Sequence, residues 1–133
     1  MKHLEDDLQA ECITWFDYQY PKLKNLLFHV PNGGHRNIRE AARLKKQGVR
    51  PGVSDLILLI PRGNFHGMCI EMKSEKGTLS ENQKEWLKQA ENNGYLTIVC
   101  NNFILFKTAI DSYLSNIIYK SQFDLDNSHP KPC

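Results

Sequence analysis

Apolar residues recur at Leu4, Leu8, Cys12 and Trp15, three or four positions apart, and this spacing predicts a helix over Leu4 to Gln19. Glu11 lies three after Leu8 and four before Trp15, so its carboxylate is expected on the side that the helix buries. "LLFHV", Leu26 to Val30, reads as a short strand ended by Pro31, with His29 expected as a packed, hydrogen-bonded core residue. The glycines and asparagines of the following "NGGHRN" predict a turn or a loop that comes close to a ligand. A second helix is expected from Ile38 to Gln47, stopped by Gly48 and Pro51.

"SDLILLI", Ser54 to Ile60, is apolar on both faces after Asp55, the pattern of a strand covered on both sides. "PRGNFHG" turns the chain and "MCIEMK" brings it back. A turn centred near Asn64 sets Asp55 opposite Lys73 and diagonal to Glu71, so three charges are expected at one end of a hairpin. Strand alternation gives Glu71 and Lys73 one face and Ile70 and Met72 the other. Ser80 opens a third helix, to about Asn93, with Gln83 at the capping-box position. "YLTIVC" is a fourth strand. A last helix, Phe103 to Tyr119, carries Phe106, Ile110 and Tyr113 on its core-facing stripe. Its surplus apolar residues Ile104, Leu105, Leu114, Ile117 and Ile118 predict a homodimer interface. One domain over residues 1–119 and a flexible polar tail over 120–133 are expected.

Composition narrows this picture. A chain of 133 residues, 41% hydrophobic and 24% charged, has the size and make-up of one globular domain with its own core. Its longest apolar run, Leu56 to Ile60, is too short to cross a bilayer, and "MKHLEDDLQ" has acids where an export signal needs an apolar stretch. Cys12, Cys69, Cys100 and Cys133 show no C-x-x-C spacing. They read as reduced thiols of a cytoplasmic protein rather than as zinc ligands. Charge is concentrated in one place: Arg36, Arg39, Arg43, Lys45, Lys46 and Arg50 are set against the single acid Glu40, a patch suited to a polyanion.

An E-x-K pair alone is common on surface strands; an Asp at hairpin register opposite it is what singles out Asp55, Glu71 and Lys73. Two neighbouring carboxylates repel unless a cation sits between them, and hard divalent cations such as magnesium take oxygen ligands. With a lysine beside them, such acids suit metal-dependent phosphodiester hydrolysis.

Five ordered blocks carry a family resemblance: Glu11 in the first helix, "PNGG" (Pro31 to Gly34), "RPGVSDL" (Arg50 to Leu56), "IEMK" (Ile70 to Lys73) and "LSENQ" (Leu79 to Gln83). From Leu8 to Leu114 the chain resembles the VRR-NUC nucleases, the virus-type replication and repair branch of the PD-(D/E)XK superfamily. The resemblance implies an α/β fold, a restriction-endonuclease-like core with a mixed central sheet flanked by helices. It also implies cleavage of DNA with Mg2+ or Mn2+. It makes Asp55, Glu71, Met72 and Glu11 metal ligands, Lys73 the catalytic lysine and Gln83 a supporting residue. The loop and the basic segment become the DNA-binding set: Asn32, Gly33, Gly34, Arg36, Arg39, Arg43, Lys46 and Arg50. Ser54 stands where the superfamily usually has proline. The chain is similar to stand-alone phage and bacterial members, which implies a homodimer acting on branched DNA such as four-way junctions in the bacterial cytoplasm or an infected host. A restriction-type or general repair endonuclease on the same fold, or a DNA-binding module without catalysis, are the alternatives.

Overall fold

The computed structural model describes residues 2–31 and 37–115. The chain runs through α1 (Lys2–Gln19), a 3-10 helix (Pro21–Leu26), β1 (Leu27–His29), α2 (Ile38–Lys46) and β2 (Leu56–Leu58). It continues through β3 (Met68–Met72), α3 (Glu81–Asn92), β4 (Leu96–Cys100) and α4 (Phe103–Ser115). The sheet order is β1-β2-β3-β4, antiparallel except for β3 and β4, which are parallel and are joined through α3 as parallel neighbours require. This is the mixed sheet flanked by helices that the sequence implied.

Alternation along the strands assigns each layer. Leu56 and Leu58 of β2 and Met68, Ile70 and Met72 of β3 join Cys12 and Phe16 of α1 and Phe106, Ile110 and Tyr113 of α4 in the core, all 1% exposed or less. At its edge, Trp15 packs edge-on against Tyr20, Phe103 and Phe106, and the Lys107 ammonium lies 5.6 Å above its ring. Lys107 also reaches Asp111 at 2.8 Å, and Asp111 accepts a hydrogen bond from Tyr20, tying the end of α1 to α4. The other face of the sheet is covered in part by α3. Phe28, Ile57, Leu59, Trp86 and Tyr95 line an apolar cleft of about 410 Å³ there, whose lining does not include Asp55 or Glu71.

Several expectations are corrected. The 3-10 helix, opened by Pro21, takes up Leu26, so β1 starts one residue later than the pattern suggests. The hairpin register differs as well. Leu56 pairs with Ile70 and Leu58 with Met68, so the ladder sets Asp55 across from Glu71 rather than from Lys73. The cause is the hairpin tip: Gly63, at φ +57°, lets Arg62 pair with Phe65, and the arm before the tip holds one residue more than the arm after it. None of the residues of α2 is buried. On α4, Ile104 and Leu105 are exposed as expected, whereas Leu114 packs on its own core. Ile117, Ile118 and the tail lie outside the described residues.

Phe106 and Ile104, neighbours on α4, separate core from surface. Phe106→Ala is expected to destabilise the fold by about 3–5 kcal/mol and Ile104→Ala by less than about 0.5 kcal/mol, read as urea unfolding midpoints at equal slope.

Candidate active site

Asp55 sits just before β2, where the β2–β3 ladder ends, and three bonds hold it from both sides. Its Oδ2 accepts the Met72 N–H at 2.7 Å. Its carbonyl accepts the Val30 N–H and the His29 Nδ1–H, each at 2.8 Å. The residue before it, Ser54, is buried, and its hydroxyl donates to the Leu56 carbonyl at 3.1 Å. Ser54 thus fixes the entry to β2 through a hydrogen bond.

Glu71 lies on the sheet face toward α3 and is 2% exposed. Its Oε2 accepts from Gln83 Nε2 at 3.0 Å and stands 3.7 Å from the Lys73 ammonium. Its Oε1 is buried with no hydrogen-bond partner. Burial, then the charge of Asp55 and a hydrogen bond with it, push the Glu71 carboxyl up to about 8; Lys73 opposes this, and Glu5 adds to it. Two carboxyl groups that can bond to each other only through a proton are held together here. Gln83 forms the capping box expected of it and also reaches Glu71. Its side-chain oxygen accepts the Ser80 N–H at 2.9 Å while its own N–H donates to the Ser80 hydroxyl at 3.2 Å, so the cap that starts α3 also aims the amide at Glu71.

The remaining candidates are dispersed. Glu11 is exposed and does not project to the buried side; the acid of α1 that acts on Glu71 is Glu5, in line with Leu8 and Cys12. The side chain of Met72 is in the core, so Met72 meets the site only through its main chain. His29 is exposed, not a core residue, and its ring supports Asp55. Pro31, two residues on, marks His29 as the end of a strand and is the sequence signal for its exposure. Arg39, Arg43, Lys46 and Arg50 are all exposed on α2 and the segment after it. Asn32, Gly33, Gly34 and Arg36 lie outside the described residues. Cys12, Cys69 and Cys100 are free and buried, and burial pushes their thiols up to about 12, 11 and 11, so they remain protonated and unreactive.

The sequence matches the VRR-NUC domain family over residues 3–103. The chain belongs to the VRR-NUC family. A solved VRR_NUC domain protein superposes on it with a TM-score of 0.73 at 30% identity, over 84% of this chain and 88% of its own. No curated protein matches it. VRR-NUC domains are nucleases and generally metal-dependent.

Among the described residues, no three His, Cys, Asp or Glu side chains gather into a metal-binding group. The residues nonetheless fit a hard divalent cation. Such ions are often held by one or two carboxylates plus water and substrate phosphate, and Glu71, its carboxyl under the charge of Asp55, has an unpartnered oxygen of the right chemistry in Oε1.

The raised Glu71 carboxyl has a definite sign in metal-free protein. The unfolded chain gives up this proton near 4.5 and the folded chain near 8, so the stability it contributes is full below about 4.5 and is lost as pH rises through 8. In chelator, the melting temperature of the wild type should fall between pH 6 and 8.5, and Glu71→Gln should flatten that fall. Equal slopes in the two proteins would contradict the shift.

Proposed function

We propose that the protein is a metal-dependent endodeoxyribonuclease that hydrolyses DNA phosphodiester bonds and favours branched substrates, four-way junctions among them. The buried, unpartnered Oε1 of Glu71, on a carboxyl that burial and the charge of Asp55 push up, carries this reading, because only a proton or a cation relieves two acids so confined. Asp55 and Glu71 would hold Mg2+ or Mn2+, with the Met72 carbonyl oxygen as a further ligand and Glu5, rather than the exposed Glu11, adding negative field. Bound there, the cation would polarise the scissile phosphate and acidify the attacking water. Lys73 orients that water and offsets the charge that builds on the phosphoryl oxygens. Gln83 holds Glu71 by Oε2 and leaves Oε1 unpartnered.

Arg39, Arg43, Lys46 and Arg50 suit phosphate contacts that position DNA without reading its sequence. The exposed Ile104 and Leu105 of α4 support a homodimer, which presents two centres to opposite strands of a symmetric junction. A restriction-type or repair endonuclease would share this centre and differ in substrate. A binding module without catalysis would have no use for Asp55, Glu71 and Lys73 together.

Supercoiled plasmid, a linear duplex and a synthetic four-way junction, each incubated with Mg2+, Mn2+ or EDTA, test the reading. Cleavage is expected with metal only and fastest on the junction, with protein sedimenting as a dimer. Asp55→Ala, Glu71→Ala and Lys73→Ala should each abolish it while most DNA affinity remains. Near-normal cleavage by Glu71→Ala would rule out this centre.

Replacing Arg39, Arg43 and Lys46 by Ala should weaken binding to all DNA sequences alike and reduce the salt slope by roughly one unit per lost contact. An unchanged slope would make this face merely solvated.

A further inference from the structure

Gly52 lies where the segment that carries one acid touches the helix that steadies the other. It stands three residues before Asp55 and adopts φ +80°. A Cβ there would come within 2.2 Å of the Asn82 carbonyl oxygen, 2.4 Å of its carbon and 2.9 Å of the Gln83 nitrogen. All three are main-chain atoms of the first turn of α3, so no side chain can swing aside; the loop or the helix must move. Gln83 is also the residue that donates to Glu71 Oε2 at 3.0 Å and closes the capping box with Ser80.

Resting on the phosphodiesterase reading above, we propose that Gly52 is a positioning residue of the metal site. Its missing side chain lets the Asp55 segment close onto α3 and sets the point from which Gln83 reaches Glu71. Gly52 touches no reacting atom and acts through Gln83. Relieving a 2.2 Å contact takes a shift on the order of 1 Å, and a misplacement of that size at a supporting group can cost about 100-fold in rate. Gly48 separates this effect from backbone strain: it has φ +108° but nothing within 4 Å of its Cβ. Gly48→Ala therefore carries the left-handed penalty without the collision.

The experiment compares junction cleavage at saturating DNA, and binding of Mn2+ alone by calorimetry, in wild type, Gly48→Ala, Gly52→Ala, Gln83→Ala and the Gly52→Ala/Gln83→Ala double variant. Gly52→Ala is expected to lose at least about 10-fold in cleavage and to bind Mn2+ more weakly, with Gly48→Ala within about 3-fold of wild type. On the Gln83→Ala background, Gly52→Ala should cost no more than about 3-fold further, because both changes disable one support. Full additivity, or a Gly52→Ala protein no worse than Gly48→Ala, overturns the proposal. Failure of the wild type to cleave with metal would instead overturn the nuclease reading. If Gly52→Ala does not fold, Gly52→Asn replaces it, since Asn tolerates positive φ but still brings a Cβ. A Gly52→Asn protein that is also unfolded overturns the proposal, because the contact then serves the fold and not the site.

Discussion

The β2–β3 register is the constraint on which the rest depends. Leu56 opposite Ile70 continues as Asp55 opposite Glu71, and both side chains fall on the sheet face toward α3. A slip of one residue would send every side chain of one strand to the other face, placing the core leucines in the open and one acid in the core. The register is therefore protected by the same burial that makes the core. Leu56, Leu58, Met68, Ile70 and Met72 cannot change partners without exposing apolar surface, and a fully buried side chain of that size is worth about 1.5–3 kcal/mol.

That rigidity is spent on an arrangement that is unfavourable by itself. Two acids face each other at the end of a buried strand, one of them with an orphaned oxygen, where an isolated pair would move apart or take up water. They stay because each is gripped by backbone or by a capped helix. Met72, Val30 and His29 hold Asp55, and Gln83, fixed by Ser80, holds Glu71. Lys73 offsets part of the repulsion without occupying Oε1, since its ammonium stands near Oε2. The chain thus holds two acids together and leaves one buried oxygen of Glu71 without a partner.

Much of this was legible in the sequence because local chemistry decided it. The Ser80–Gln83 capping box, the alternation that separates Glu71 from Met72, and the stripe of Phe106, Ile110 and Tyr113 all follow from neighbours a few residues apart. What failed depended on longer reach. Hairpin register was misjudged because it rests on a tip whose two arms differ in length, which composition does not reveal. Glu11 is misplaced on the buried side because its spacing to Leu8 and Trp15 does not fix the rotation of α1. The buried line runs through Cys12 and Phe16, and extending it backward passes Glu5. His29 reads as internal from its place within an apolar strand, yet β1 is the edge of the sheet and leaves the ring exposed.

On the nuclease reading proposed above, gripping and recognition fall to different parts of the chain for a physical reason. Helix α2 has no buried residue and carries Arg39, Arg43 and Lys46 in the open, whereas Glu71 is buried within β3 and Asp55 is half-buried at the entry to β2. Affinity for a polyanion is a sum over many weak, solvated contacts that tolerate small displacements. Transition-state stabilisation needs a few groups held within about half an ångström. A basic helix can therefore stand off the body and still serve binding, while acids so exposed would hydrate, relax apart and lose their common ligand. The segment from Arg50 to Asp55 joins the two regimes, and its dense contact at Gly52 marks where the chain passes from the tolerant part to the intolerant one.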